Sequence, residues 1–242
     1  MVPHITIYTY KHVSYLSELA LDVLGVNSMA DFKIVVSDPE AAKTAQPIKV
    51  KIVGVDLPYD NEIKEGFKLP TVKINKSLHD KIKPKYGIVT LRIYKPEANE
   101  KVNIRAKVEV DDNVPDGEAH ISAALLVDKI GSNEAEGEIF RAKAWQIRIN
   151  DERTKSLIGL KIGDVFDGSI IGLKGVKLKI TGGSDYSGFP MRPDIHGGVK
   201  KRVLLSGPPG FHPREKGERR RKTIRGNTIT EDIVQINTAI VY

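Results

Sequence analysis

The chain has 242 residues, of which 38 are Lys or Arg and 31 are Asp or Glu, so its formal net charge is +7 at pH 7. It contains no Cys, which excludes disulfides and thiolate metal sites. No apolar run approaches the roughly 18–20 residues needed to cross a bilayer. The length allows one large or two small domains, and 29% charged with 40% hydrophobic residues is an ordinary globular composition.

The first 28 residues have a pattern of their own. Ile5–Tyr10 alternates weakly between polar and apolar residues and is a candidate short strand. Between Ser14 and Leu24 the apolar residues recur at the spacing of one helical face, and Gly25 would end such a helix. We therefore expect residues 1–28 to be an extension of the main fold.

The next 115 or so residues alternate short predicted strands with short predicted helices. Phe32–Val36 is typical of a β-strand, which Asp38-Pro39 would end. Further along, the patterns predict strands and helices in this order: strand Ile48–Val53, strand Leu69–Ile74, helix Ser77–Ile82, strands Gly87–Tyr94 and Val102–Val110, strand Glu118–Ile121 and helix Ser122–Ile130.

One strand-to-helix unit in this region is duplicated. The stretch that begins at Ile74 resembles the stretch that begins at Ile121, and Asn75 and Ser122 are candidate helix N-caps. A duplicated strand–helix unit among strands predicts a small pseudo-twofold β-barrel. Together with Val114–Gly117, the pattern is similar to the double-psi barrel of certain ATPase amino-terminal domains.

The last hundred residues are mostly β in character. Turn signals rich in Gly and Pro separate the candidate strands, which predicts a small barrel. A short helix is expected at Asp151–Ile158, and the candidate strands are Ala144–Ile149, Lys161–Phe166, Val176–Ile180, Val203–Leu205 and Asp232–Val241. The expected fold class is therefore mostly β: a small barrel core with a basic, Gly/Pro-rich extension, plus an inserted barrel-like domain.

The positive charge of the protein belongs to one stretch. Between Arg192 and Arg225 there are 11 Lys or Arg and 3 Asp or Glu, a net charge of +8. This leaves 27 cations and 28 anions elsewhere, a net charge of −1. Such a concentration of charge indicates a polyanionic partner.

The residue types in this stretch favour RNA. Arg guanidinium groups match phosphate oxygens and also stack on bases, while Phe211 could stack on an unpaired base. Gly and Pro residues from Gly207 to Gly217 predict a shaped loop in place of a regular element. The candidate RNA-binding residues are Arg192, Lys200, Lys201, Arg202, Phe211, Arg214, Lys216, Arg219, Arg220, Arg221, Lys222, Arg225 and Asn227. The alternative is a solvated basic loop.

Other kinds of site find little support in the residues. Ser184 and Asp185 are adjacent and do not form a triad, so Gly182–Asp185 is better interpreted as a turn. Gly207-Pro208-Pro209-Gly210 lacks the phosphate-loop signature. The six His residues show no ligand spacing, so we expect no metal site. We also expect no cofactor and no catalytic residues.

Several long strings in the basic stretch and its flanks carry a specific resemblance. The chain resembles protein six of the small ribosomal subunit, of the archaeal and eukaryotic type, through Leu178–Asp185, Gly188–Asp194, Leu204–Gly207, Gly217–Thr223, Arg225–Ile229 and Asp232–Asn237. The resemblance implies a structural, non-enzymatic component of the cytoplasmic ribosome. Its expected partners are small-subunit ribosomal RNA and neighbouring ribosomal proteins, with no membrane and no small-molecule substrate.

The same resemblance implies a domain organisation. In compact members of this family the second core strand soon follows the first, so residues 44–142 are expected to be an insert, as in the crenarchaeal-like branch. Residues 29–43 then hold the first core strand, and residues 143–242 hold the core with its RNA-binding segment 192–229. Eukaryotic members continue into a phosphorylated basic tail, and this sequence lacks one, which implies an archaeal form.

Two alternatives stay open at this point. Met29 opens a stretch that looks like the start of the family, so residues 1–28 are either an upstream extension or a helical appendage that docks on a partner. The function is either that of a ribosomal protein or that of a non-ribosomal RNA-binding factor or chaperone built on the same domain. A barrel enzyme with a basic patch is a further rival, and the sequence offers no convergent titratable groups for it.

Overall fold

The computed structural model describes residues 31–44, 46–95 and 100–242. Strand β1 (Phe32–Ser37) buries every second side chain, as the sequence predicts. Asp38 follows the strand and caps a short helix, α1 (Pro39–Thr44), because its Oδ1 accepts hydrogen bonds from the backbone N–H groups of Glu40 and Ala41, both at 3.0 Å. The strand predicted at 5–10 and the helix predicted at 14–24 lie outside the described residues.

A six-stranded barrel with three short helices follows. In chain order its elements are β2 (Ile48–Val55), α2 (Asn61–Glu65), β3 (Thr71–Ile74), α3 (Lys76–Ile82), β4 (Ile88–Lys95), β5 (Glu100–Val110), β6 (Glu118–Ser122), α4 (Ala123–Ile130) and β7 (Glu134–Arg141). The strand order around the barrel is β2-β6-β3-β5-β4-β7, and β7 pairs with β2 to close it. The predicted barrel with short helices is confirmed, and the structure shows that it is closed.

The duplicated unit explains the topology of this barrel. The two predicted strand–helix units are β3–α3 and β6–α4, and their strands are antiparallel neighbours, with Val72 opposite Ile121. Strand β2 runs parallel to β6, and β5 runs parallel to β3. Exchanging the first half of the barrel (β2, β3 and β4) with the second half (β5, β6 and β7) therefore reproduces the strand order. Asn75 caps α3, since its side chain accepts from the N–H of Ser77, whereas Ser122 makes no side-chain cap to α4.

The rest of the chain builds the core. Its strands are β8 (Ala144–Ile149), β9 (Val165–Asp167), β10 (Lys177–Asp185), β11 (Lys200–Leu205), β12 (Arg220–Arg225) and β13 (Ile233–Val241). With β1 they form a five-stranded sheet in the order β8-β1-β13-β10-β9, and β11 and β12 form a separate two-stranded ribbon. The mostly β fold class is confirmed. The core sheet is an open half-barrel because, among the described residues, its two edge strands, β8 and β9, each pair on one side only.

The turn predicted at Gly182–Asp185 is wrong. These residues continue β10, whose register against β13 shifts after Ile180 and again after Ser184. Gly183 is required because a Cβ at this position would lie 2.4 Å from the carbonyl oxygen of Gln235. Gly183 therefore serves close strand packing, and the chain turns only after Asp185.

A buried ion pair joins the barrel to the core sheet. Arg141, the last residue of β7, donates from Nη2 and Nε to Oδ2 of Asp38 at 2.7 and 3.1 Å. The Asp38 side chain is 1% exposed and that of Arg141 is 12% exposed, and the Tyr242 hydroxyl donates to the same carboxylate. Trp145 is also buried at this junction and contacts Tyr86 with ring centroids 6.5 Å apart.

This junction predicts an acid-sensitive stability. Burial opposes ionisation of Asp38, but hydrogen bonds from Tyr242, the Ala41 N–H and Arg141 outweigh it and lower the pKa below the ordinary value of 3.8. A lowered carboxyl pKa stabilises the fold above the unfolded-state pKa, and that contribution is lost as the pH falls through the folded-state pKa. As the pH falls below about 4, the free energy of unfolding should therefore decrease more for the wild type than for Asp38→Asn. Denaturant titrations between about pH 2.5 and 6 check this, and parallel pH profiles for the two proteins would contradict it.

No helix within the described ranges has both the length and the apolar character required to span a membrane.

Candidate nucleic-acid interface

The basic stretch is organised by the ribbon of β11 and β12. The strands are antiparallel, with Lys200 opposite Arg225 and Leu205 opposite Arg220. Because side chains alternate between the two faces of a strand, the cations are divided between both faces of the ribbon. The shaped loop predicted at Gly207–Gly217 lies within the irregular residues 206–219, which join the two strands. The strand predicted at Val203–Leu205 is part of β11, whereas β12 was not predicted.

One face of the ribbon is open to solvent. We call the exposed part of it the open face, which carries Lys200, Arg202, Leu204, Arg221 and Thr223. Arg225, opposite Lys200, lies on the same side but is buried. Leu204 is 56% exposed, and the three cations are exposed as well. The open face therefore presents three cations around one apolar side chain.

The opposite face covers a small apolar cluster. Leu205 and Ile224 are buried there with Phe211, and Ile195 and Val203 pack against them. Phe211 is 6% exposed, so its ring is not available for stacking on a base in this conformation. Its observed contacts instead fold the 206–219 loop back against the ribbon.

The 206–219 loop is held in shape by Glu218. One carboxylate oxygen of Glu218 accepts from the backbone N–H of Arg214, and the other accepts from Nε of Arg220, both at 2.7 Å. The hydrogen bond from the Arg214 N–H lowers the pKa of Glu218. Slight desolvation acts in the opposite direction, and Arg220 lowers the pKa further. A cavity of about 240 Å³ opens here, and its lining includes Arg214, Arg220, Lys222 and His212. Glu218 was not among the predicted site residues.

Arg192 braces the same loop from the other side. Its guanidinium pairs with Asp194, Nε to Oδ1 at 2.8 Å and Nη2 to Oδ2 at 3.0 Å. It also donates to the carbonyl oxygens of Pro209 at 3.0 Å and Gly207 at 3.4 Å. With 17% of its side chain exposed, Arg192 shows the geometry of a positioning residue.

Arg225 and Asp185 fix the base of the ribbon to β10. The Arg225 side chain is 6% exposed, and it donates to Thr230 and Asp232. The fully buried Asp185 carboxylate lies 3.7 Å from Nε of Arg225 and 3.9 Å from Nζ of Lys200. Its Oδ2 has no hydrogen bond within the described residues, so the two nearby cations compensate its charge.

Asn227 joins the end of the ribbon to the segment that precedes it. It is 7% exposed; its Oδ1 accepts from the N–H of Gly197 at 3.1 Å, and its own N–H donates to the carbonyl of Ile195 at 2.7 Å. These hydrogen bonds occupy polar atoms of Asn227 that could otherwise contact an RNA base or the RNA backbone.

The backbone around Gly226 lies so close to Gly197 that adding one methyl group at Gly226 should destabilise the fold. A Cβ on Gly226 would lie 1.9 Å from the carbonyl oxygen of Gly197, a backbone atom that cannot move aside cheaply. Gly226→Ala should lower the free energy of unfolding by about 1–3 kcal/mol, the usual range for overpacking. Denaturant titration measures the loss.

The matched control for that substitution is Gly207→Ala. Gly207 has no heavy atom within 4 Å of an added Cβ and no positive φ, so its replacement should change stability little. Equal losses in the two variants would contradict the steric explanation.

The predicted site residues thus divide into two groups. Phe211, Arg225 and Asn227 are buried and Arg192 is half-buried, so their observed contacts are within the protein. The exposed members are Lys200, Lys201, Arg202, Arg214, Lys216, Arg219, Arg220, Arg221 and Lys222. Among residues 31–44, 46–95 and 100–242, no group of three or more His, Asp or Glu residues could hold a metal ion.

The fold and this surface define a class: a mostly β protein with two modules, whose excess cations are gathered on one ribbon and its loop. The profile of the family Ribosomal protein S6e matches residues 138–242. A Small ribosomal subunit protein eS6 from Staphylothermus marinus is 67% identical over 215 residues, which cover 88% of this chain and all of that relative. On this evidence the chain belongs to the S6e family of ribosomal proteins.

Further relatives and one solved structure are also similar. Proteins of the same name from Hyperthermus butylicus and Saccharolobus solfataricus are 59% and 48% identical, each over 88% of this chain and over 98% and 100% of their own lengths. The crystal structure of the rationally designed mkDPBB_sym1 protein matches 40% of this chain and all of its own chain, with 16% identity and a TM-score of 0.28.

Proposed function

We propose that this protein is a structural constituent of the small ribosomal subunit and binds ribosomal RNA through the exposed cations of the ribbon and its loop. The observation that carries the RNA-binding part is the set of exposed cations without an ion-pair partner within the described residues: Lys201, Arg202, Arg214, Lys216, Arg219, Arg221 and Lys222. Cations that the fold leaves unpaired are available to phosphates.

Charge neutralisation is the proposed mechanism. Each phosphate that a cation neutralises releases condensed counterions, which is favourable at low salt and less so at high salt. Guanidinium groups suit this role because their planar forks match phosphate oxygens and can also stack on bases. The open face would lie along one RNA strand, and the 206–219 loop would enter a neighbouring groove. No chemical step is required.

The buried and half-buried members of the predicted set act indirectly in this proposal. Arg192, Phe211, Arg225 and Asn227 hold the loop and the ribbon in the shape that the exposed cations need. Such rigidity reduces the conformational entropy that the segment loses when it binds. The predicted residues therefore work as one surface, with exposed contacts and buried supports.

The proposal includes the location and the organisation of the protein. We place it in the cytoplasmic ribosome, next to ribosomal RNA and neighbouring ribosomal proteins. We also keep the division into an extension at 1–28, a first core strand at 29–43, an insert at 44–142 and a core at 143–242. In the sequence the insert barrel comes between β1 and β8, yet these two strands are neighbours in the core sheet. This topology supports the division.

Equilibrium binding of ribosomal RNA by the purified chain, measured as a function of salt, tests the RNA-binding part. If the seven unpaired cations each neutralise one phosphate, the logarithm of the binding constant should fall against the logarithm of salt with a slope of about −5 to −6. A slope near zero would overturn the proposal, since the cations would then not contact phosphates.

A further inference from the structure

One exposed aromatic side chain lies beside the ribbon. Tyr186 follows the last residue of β10 and is 71% exposed, more than any other large hydrophobic residue that the structure describes. A ring in this position makes few contacts that could stabilise the fold. Most of the ring is therefore available to a partner.

The backbone around Tyr186 is held rigidly. Oδ1 of the buried Asp185 accepts from the N–H groups of Ser187 at 3.0 Å and Phe189 at 2.8 Å, and the N–H of Tyr186 donates to the carbonyl of Asp232 at 3.2 Å. The turn is completed at Gly188, which has a φ of +79°. The ring is therefore presented from a fixed support, which lowers the entropic cost of using it to bind.

A cation lies against the same turn. Nζ of Lys200 is 5.5 Å from the centroid of the Tyr186 ring and 4.6 Å from that of Phe189. It is held there by Ser187 Oγ at 3.4 Å and by the Asp185 carboxylate at 3.9 Å. Lys200 thus contributes a cation–π contact to the ring and leaves part of the ring free.

Lys200 also belongs to the open face of the ribbon. Along that face Arg202 and Leu204 follow at two-residue intervals, and Arg221 lies opposite Leu204. A nucleic-acid strand that follows these cations would reach Tyr186 at the end of the ribbon. This combination of a cationic track and an exposed ring is how proteins hold single strands.

We propose that Tyr186 is a stacking platform for one unpaired base of the bound RNA, with Lys200 beside the adjoining phosphate. This inference rests on the proposed function and specifies the state of the RNA at this end of the site. The base is unpaired because a base inside a duplex has both faces covered by its neighbours. Stacking requires only an aromatic face, so it does not select one base type.

The test compares Tyr186→Leu with Tyr186→Phe in the full chain. Leu keeps an apolar side chain without a ring, whereas Phe keeps the ring and loses only the hydroxyl. The probes are a single-stranded RNA of about 12 nucleotides and the duplex of the same length, a size within the range that such sites cover. Tyr186→Leu should bind the single strand about tenfold more weakly, a loss typical of one base–aromatic stack, and should bind the duplex as the wild type does.

A fluorescent base gives a direct second readout. A 2-aminopurine in the single strand should be quenched by the wild type and by Tyr186→Phe, and not by Tyr186→Leu. Melting temperatures of the three proteins should agree because the ring is exposed. Identical binding and quenching by all three proteins would overturn the stacking platform.

The two proposals fail in different ways in this experiment. If the wild type binds the single strand with a steep salt dependence and Tyr186→Leu equals it, only the stacking platform is wrong. If the wild type binds neither RNA with a salt-dependent affinity, the proposed function itself is wrong.

Discussion

Replacing Arg219, Arg220, Arg221 and Lys222 together with Gln is expected to weaken RNA binding by about 100-fold near 0.1 M salt. Arg220 already pairs with Glu218, so three of the four cations are free for phosphates in the described structure. Three lost phosphate contacts should also reduce the salt slope by about 2 to 3. Binding constants measured at several salt concentrations give both quantities from one data set.

The insert barrel offers a control with the same loss of charge. Lys49, Lys101, Arg105 and Lys107 are all exposed on barrel strands and form no ion pair within the described residues. Changing these four to Gln lowers the net charge equally and should leave the salt slope nearly unchanged. Equal effects of the two quadruple variants would mean that overall charge, and not the ribbon surface, drives binding.

Arg141→Met is expected to produce the largest loss of stability, about 3 kcal/mol, the lower end of the range for breaking a buried ion pair. The substitution keeps a long apolar side chain but leaves the buried Asp38 carboxylate without its main cation. For a chain of this size the loss corresponds to a fall in melting temperature of roughly 10 °C. Denaturant titration and calorimetry measure it.

Arg153→Met is the matched control for that prediction. Arg153 pairs with Asp151, but their side chains are 53% and 44% exposed, so solvent screens the pair. Its removal should cost less than about 1 kcal/mol. If the two variants lost the same stability, the junction between barrel and core would not depend on the buried pair.

Local patterns predicted the elements of this fold well. The strands predicted at Phe32–Val36 and Val176–Ile180 are confirmed as β1 and β10, and one face of each is buried. The duplicated strand–helix unit predicted a pseudo-twofold barrel, since each copy forms the same element and the copies meet as β3 and β6. The helix expected at 151–158 is a shorter 3-10 helix, Glu152–Ser156, with Asp151 at its N-cap.

Contacts between distant residues could not be predicted in this way. Nothing local to Asp38 announces a partner 103 residues away, and helix α1 was missed because its stability comes from the cap that Asp38 provides. The open half-barrel depends on which strands pair, which no single strand encodes.

The candidate site also combines features that the local sequence predicts with contacts that it does not. Its charge excess was visible in the composition of residues 192–225, because charge needs no structure to be counted. The burial of Arg225, Asn227 and Phe211 was not visible, since it depends on Asp185, Gly197 and Leu205 meeting them in space. Tyr186 was missed because a single Tyr after a Ser-Asp pair carries no pattern of its own.

The proposed function requires the protein to be a stoichiometric part of the small ribosomal subunit. Co-sedimentation with small subunits through a high-salt gradient, with the copy number measured by quantitative mass spectrometry, tests it most directly. We expect about one copy per subunit, retained at salt concentrations that strip loosely bound basic proteins. Loss of the protein to the top of the gradient, with binding to unrelated RNA retained, would contradict it and favour a non-ribosomal RNA-binding factor.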